Sequence, residues 1–251
     1  MNSVSGLQMS NEQVGTESKI EVRTTADGSP TLYVLALDEH YHSRHGAAQE
    51  SRHVFIEAGL APLLAAGLEQ TQPLRVLEIG LGTGLNALLT LEAARPTGAA
   101  IAYDGYETVP LPADALEALA PQWQADAELS QAFSHMHAAP WNEPLALAPG
   151  FSLTKLLAEI QDAALPPSHY DLLYFDAFAP EKQPELWMEA IFAKLYATAA
   201  PGAVLVSYCA QGQFRRNLRA AGWLTEKLPG PPGKREMTRA RKPTAGSSAN
   251  F

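Results

Sequence analysis

One cysteine in 251 residues, Cys209, excludes an internal disulfide framework and suits a reducing compartment. No apolar run reaches the ~20 residues that a membrane-spanning helix requires. The N-terminus lacks a basic stretch leading into an apolar core, so no secretory signal is expected. Internal repeats are missing too. Cations are in deficit: 18 Lys and Arg stand against 27 Asp and Glu, a net charge of −9 that on its face disfavours nucleic acid. The expectation is one globular domain at 19–240, cytoplasmic, with disordered polar tails at 1–18 and 241–251.

The charge is unevenly spread. Residues 210–242 hold nine Lys and Arg against Glu226 and Glu236, a local +7 on a body of −16. Such a segment reads either as a cationic face for a phosphate backbone or as an ordinary solvated surface.

Short β-rich runs occur at "KIEVRTT", "TLYVLAL", "LRVLEIG", "IAYDGYE", "FSLTKLL", "YDLLYFDAF" and "GAVLVSYC". Helical stretches follow most of them, at 48–66, 85–95, 112–120, 184–199 and 211–221. This alternation predicts an α/β fold with a doubly wound, mostly parallel sheet. The first two runs precede any helix and read as a hairpin or small N-terminal extension. Residues 222–240 lose the alternation and are expected to add an antiparallel pair at the sheet edge.

"LRVLEIGLGTGLNALL", starting at Leu74, places Gly80, Gly82 and Gly84 in the first strand-to-helix turn. Without Cβ atoms the chain turns tightly and a ligand approaches its backbone. Free N–H groups at the helix start then face that ligand. A dinucleotide loop would read G-x-G-x-x-G, whereas here the third glycine arrives one residue early and Leu85 takes its place. Glu78, two residues before the first glycine, would repel a pyrophosphate but pair with an ammonium group. A plain glycine-rich turn is the alternative reading.

E-x-G-x-G-x-G after a strand resembles the first motif of the class I S-adenosyl-L-methionine (SAM) methyltransferases, whose sheet is Rossmann-like. The resemblance implies SAM as cofactor, with Glu78 near its methionine moiety and the glycines beneath it; Asn86 belongs to the same motif. A second carboxylate is expected after the next strand, where it would hold two ribose hydroxyls. Glu107 in "IAYDGYETVPL" is better placed than Asp104, and it offers two acceptor oxygens for two donors. Glu159 in "KLLAEI" follows the third strand and is either an acceptor for the adenine amino group or a solvated strand-end acid.

"YDLLYFDAFAPEKQPELW" ends a buried strand in Asp176. Ligands of open α/β sheets sit beyond the carboxyl ends of the strands, so Asp176 is expected to face the reacting groups, with Phe178 and Pro180 as a flat apolar wall. The alternative is an Asp that only caps the loop. An acid followed by an aromatic resembles the Asn/Asp-Pro-Pro-Tyr/Phe loop of amino-group methyltransferases, with Ala in place of the two prolines. An alkylammonium has a pKa near ~10, so a carboxylate that orients the amine and takes its proton frees the lone pair. No metal is expected.

The set "LEIGLGTGLN", "YETVPL", "YFDAFAPEKQPELW" and "PGKREM", with "QESRHVFIEAGL" upstream, resembles the methyltransferase of the tRNA 5-methylaminomethyl-2-thiouridine pathway, from about Asp38 to Arg241. The resemblance implies methylation of an aminomethyl group on wobble uridine 34 of tRNA. It places Gly80, Gly82, Gly84 and Glu107 on SAM-binding positions and Asp176 on the catalytic acid. The best-known members also carry a flavin-dependent oxidoreductase domain that strips a carboxymethyl group beforehand. These 251 residues do not contain it, so either a separate upstream enzyme supplies the amine or the substrate differs.

Lys234 and Arg235, in "PGPPGKRE", are the candidate contacts to RNA phosphates. His40, His42 and His45 read as loop residues beside the pocket rather than metal ligands, Cys209 as an inert buried thiol, and Trp187 as packing. Two rival functions remain: a small-molecule amine methyltransferase or aminopropyl transferase of the same fold, and a non-catalytic SAM-binding module.

Overall fold

The computed structural model describes residues 20–35, 38–41, 46–66 and 72–244. Strands β1 (Ile20–Thr24), β2 (Pro30–Val34) and β3 (Glu39–His40) form a small antiparallel sheet, the expected N-terminal hairpin plus one short strand. Next comes an unbroken helical run: α1 (Ala47–Ser51), a π-helical stretch (Arg52–Leu60) and α2 (Ala61–Ala65).

The main sheet begins with β4 (Leu74–Ile79), followed by α3 (Leu85–Ala94), β5 (Ile101–Glu107), α4 (Ala113–Leu119) and α5 (Ala127–Ala138). Then follow β6 (Pro144–Ala148), β7 (Phe151–Leu157), β8 (Tyr170–Phe175), α6 (Glu189–Thr198) and β9 (Ala199–Ser207). The last elements are α7 (Gly212–Ala220), β10 (Leu224–Pro229) and β11 (Glu236–Arg241). Their order across the sheet is β10-β11-β9-β8-β4-β5-β7-β6, with the five central strands parallel. β6 pairs antiparallel with β7, β11 with β9, and β10 with β11, as expected for the C-terminal pair.

Two elements stand outside the sequence expectation. α5 is capped by Asp126, whose carboxylate accepts the Glu128 and Leu129 N–H groups, and it buries Leu129, Ala132, Phe133 and Met136 at helical spacing. β6 then returns antiparallel beside β7. Lys242 still exchanges main-chain hydrogen bonds with Gly202 and Ala203, so paired chain extends past the expected boundary at 240.

Central parallel strands are covered on both faces, and so read as continuous apolar runs. Their period of two divides the core. Val76, Leu172, Tyr174, Val204 and Val206 face a layer built from the first helical run, α3 and α5. Leu77, Ile79, Leu173, Phe175 and Leu205 face α6 and α7, where Phe192, Phe214 and Trp223 are fully enclosed. Two charged side chains follow this alternation into the first layer: Glu78, which is completely buried, and Lys155 of β7.

Candidate active site

β4 has β5 on one side and β8 on the other, so the chain changes direction across the sheet between β4 and β8. Crevices form at such switch points. The loops after β4, β5, β7, β8 and β9 enclose a cavity of about 640 Å³ there, a size typical of small-molecule sites. Tyr41 and His40 of the N-terminal extension and Phe55 of the helical run close it from the side.

Gly80 and Gly82 line this cavity with φ of 89° and 51°, left-handed values that favour glycine. A Cβ on Gly80 would lie 2.5 Å from the Asp176 carbonyl oxygen, and one on Gly82 would lie 2.9 Å from the Tyr41 ring. Gly84 differs from the expectation. It starts α3 in the αL conformation, its bare face accommodates Met136 of α5, and it does not border the cavity. The cradle therefore consists of two glycines, and the third serves helix packing.

Glu107 and Glu159 both border the cavity, Glu159 at its exposed rim. The Glu107 carboxylate accepts the N–H groups of Gly82 at 2.9 Å, Thr108 at 2.7 Å and Val109 at 3.1 Å. A carboxylate has about four acceptor positions, so this arrangement leaves about one where the sequence led us to expect a grip on two hydroxyls.

Glu78 has no surface on the cavity, so the expected contact with a ligand's ammonium is not available to it. Its carboxyl accepts the Tyr103 hydroxyl at 2.7 Å and Asn86 Nδ2 at 2.7 Å. The same Nδ2 donates to Asp176 Oδ2 at 2.8 Å. Asn86, also enclosed, thus lies beneath the cavity rather than against a ligand. Burial, and next the neighbouring Asp176 charge, hold the Glu78 carboxyl well above the usual carboxylate range. Asp176 does border the cavity. Burial pushes its pKa up to about 7; the Asn86 hydrogen bond opposes this, the Glu50 charge adds to it and the Lys234 charge opposes it. A carboxyl at that value takes or releases a proton near neutrality.

Phe178 borders the cavity, edge-on to Tyr41, and its carbonyl accepts Trp187 Nε1 at 2.9 Å. Trp187 packs against Phe175, as expected. Pro180 is half-buried in the following turn, away from the cavity lining. Arg235 is exposed, whereas Lys234 points inward: its Nζ lies 2.5 Å from Glu50 Oε1 and 4.4 Å from the centre of the Tyr208 ring. An ammonium so held is not presented to an RNA backbone.

The wider basic segment also departs from a cationic face. Pairing of β10 with β11 sets Glu226 opposite Arg239, and Glu226 bonds both Arg239 and Arg241. Glu236 bonds Arg215 and Lys227, and Lys242 Nζ is taken by the carbonyls of Tyr196 and Ala199. Among the described residues of the segment, Arg216, Arg219, Arg235 and Lys242 make no ion pair, and the Lys242 ammonium is held by carbonyls. His42 and His45 lie outside the described residues. Cys209 is buried, and burial raises its thiol pKa. Among the described residues, no helix is long and apolar enough to cross a membrane.

Glu50, Tyr41, Tyr103 and Tyr208 are the site residues that sequence reasoning missed. Glu50 lay within the matched stretch "QESRHVFIEAGL" and Tyr103 within the β5 run, but neither carried a local signal of its partner.

A family model described as an S-adenosyl-L-methionine-dependent methyltransferase matches residues 124–243. The chain is 36% identical over 217 residues to the tRNA 5-methylaminomethyl-2-thiouridine biosynthesis bifunctional protein MnmC of Pseudomonas paraeruginosa, covering 78% of this chain and 31% of that protein. It is 30% identical over 234 residues to the protein of the same name from Chromobacterium violaceum, covering 89% and 35%. The chain thus spans about a third of the length of the curated relatives it matches. Among solved structures, MNMC2 from Aquifex aeolicus superposes with a TM-score of 0.72 at 24% identity, covering 91% of this chain and 73% of that one, which shows the same fold.

Proposed function

Taking as premise that the chain belongs to the S-adenosyl-L-methionine-dependent methyltransferases, we propose that it methylates the 5-aminomethyl group of wobble uridine 34 in tRNA. The product is 5-methylaminomethyluridine or its 2-thio form. The names of the curated relatives support this acceptor. The observation that carries the reading is Asp176: a carboxyl on the cavity wall, pushed up to about 7, across from the bare glycine loop.

The cavity fits the cofactor at the points tested. Gly80 and Gly82 border the cavity, their bare Cα atoms letting the Asp176 main chain and the Tyr41 ring close in beside them, and Glu107 is anchored there with an acceptor position to spare. When bound, SAM supplies a methyl group already activated on a sulfonium. Asp176, with one oxygen held by Asn86, orients the acceptor amine with the other and removes its proton. Phe178 supplies an apolar surface beside the acceptor. Holding the lone pair in line with the methyl supplies most of the acceleration. A tRNA acceptor places the reaction in the cytoplasm, with an upstream activity providing the aminomethyl group.

A small-molecule amine is the second reading. The net charge of −9 and the internal pairing of the C-terminal cations favour it, because a phosphate backbone is bound mainly through free cations. Incubation of undermodified tRNA and of free polyamines with labelled SAM separates the two. Label in the nucleoside 5-methylaminomethyluridine is expected; label on polyamines and on no tRNA would replace the first reading with the second.

A further inference from the structure

The acceptor end of the cavity holds a feature that methyl transfer does not use. Lys234 Nζ is fixed by Glu50 Oε1 at 2.5 Å and by the Tyr208 ring face at 4.4 Å. The Tyr208 hydroxyl in turn donates to the carbonyl of Ala177, the residue after Asp176, at 2.8 Å. Glu50, Tyr208, Lys234 and Asp176 all border the cavity. Glu50 is 9% exposed, and its second oxygen, Oε2, is enclosed without a hydrogen-bond partner. Buried carboxylate oxygens are rarely left so, because an unfilled acceptor away from water is costly. A hydrogen-bond donor and an acceptor short of its partner therefore stand side by side next to the proposed catalytic acid.

We propose that Lys234 and Glu50 determine acceptor specificity by reading the imide edge of the uracil ring. Lys234 donates to the carbonyl oxygen adjacent to the carbon that bears the aminomethyl group, and Glu50 accepts the neighbouring ring N–H. On uracil these three groups follow one another around the ring, the aminomethyl carbon, then C4=O, then N3–H. A ring whose amine reaches Asp176 presents its donor and acceptor to groups flanking that residue. Glu50 and Lys234 lie beside it: Lys234, bonded to Glu50, sits on the Tyr208 ring, and the Tyr208 hydroxyl donates to the carbonyl of Ala177, the residue after Asp176. The pair is also neutral as a unit, so Lys234 donates without placing a free cation beside an incoming ammonium. Cytosine shows the reverse pattern, an amino donor at C4 and an acceptor at N3, and meets like against like at both positions.

This assignment rests on the tRNA reading above, and its test keeps the two apart. tRNA anticodon arms carrying 5-aminomethyluridine or 5-aminomethylcytidine at position 34 are assayed with the full chain, and S-adenosylhomocysteine affinity is measured by calorimetry. The wild-type protein is expected to prefer the uridine by at least about 100-fold in kcat/KM, as a site with fixed polar groups does. Lys234→Met should lower kcat/KM for the uridine by at least about 10-fold, and Glu50→Gln should shrink the preference by a similar factor, with cofactor affinity little changed. Equal use of both bases by the wild-type protein overturns the assignment with no variant needed, and so does an undiminished preference in both folded variants. Absence of transfer to either arm overturns the tRNA reading and this inference with it.

Discussion

Asn86 Nδ2 lies 2.8 Å from Asp176 Oδ2 and 2.7 Å from Glu78 Oε1, so a single amide ties two acidic side chains together. One of these carboxyls borders the cavity and the other is sealed beneath it, with the Tyr103 hydroxyl on its far side. The amide opposes the burial that raises the Asp176 pKa, ahead of the Lys234 charge. Asn86→Ala is therefore expected to raise that pKa further, moving the acidic limb of kcat/KM upward by about one unit and lowering the rate at pH 7 about fivefold. S-adenosylhomocysteine affinity should change little, because Asn86 has no surface on the cavity. A pH profile that stays in place would remove the amide from the proton chemistry.

Asp176 itself makes a second prediction. Its carboxyl rises from an ordinary 3.8 to about 7 through burial, so activity should increase with pH through about 7 as the carboxylate forms. Stability should run the other way. A raised folded pKa means the folded chain holds a proton that the unfolded chain has already lost between roughly pH 4 and 7. The stabilisation is full below that window and gone above it. Asp176→Asn should thus abolish transfer while raising the melting temperature at pH 8 by a few degrees, and leave it nearly unchanged at pH 4. A variant that is less stable than the parent at pH 8 would contradict the buried carboxylate.

Gly80 and Gly84 are separated by a paired substitution. A Cβ on Gly80 meets main chain, the Asp176 carbonyl, at a residue with φ of 89°; neither can yield without moving the site. Gly80→Ala is expected to weaken cofactor binding by about 10- to 100-fold, the equivalent of 1–3 kcal/mol of strain and displacement. A Cβ on Gly84 meets the flexible end of Met136, outside the cavity. Gly84→Ala should lower the melting temperature more than it affects binding. Equal losses of binding in both variants would show that the third glycine belongs to the cradle after all.

These contrasts explain what the sequence reveals and what it withholds. The glycine loop, the acid after β5 and the acid after β8 are local features. Each follows a strand end, and strand ends are readable from apolar runs and turn residues. The partners are not local. Lys234 and Glu50 are 184 positions apart, and the inward turn of the lysine depends on where the loop after β10 lies over the first helical run. The cationic segment shows the same limit: counting its charges suggests a free basic face, while the register of β10 against β11 places Glu226 between two arginines. Glu78 is readable as an acid of the loop motif, but its enclosure by Tyr103 from the adjacent strand is not. The α5–β6 segment escapes for a different reason. A helix of mixed composition followed by a short antiparallel strand interrupts the expected strand–helix alternation.

His137 gives a prediction about the scaffold of the loop rather than its chemistry. Its Nε2 lies 3.2 Å from the carbonyl of Thr83, between the last two glycines, and its ring packs edge-on against Phe133. A carbonyl only accepts, so Nε2 carries the proton of the neutral ring. Burial pushes the pKa down to about 4 from 6.5, the Thr83 hydrogen bond opposes this and the Lys155 charge adds to it. Between those values the unfolded chain binds a proton that the folded chain refuses, so stability is lost as pH falls through the window. His137→Gln keeps a donor for Thr83 and cannot titrate. Urea unfolding between pH 7 and 4 should therefore show a shallower decline for the variant, by up to about one proton in the slope. Parallel declines would mean that the imidazole is solvated and that the loop owes its position to Met136 and the Glu107 anchor alone.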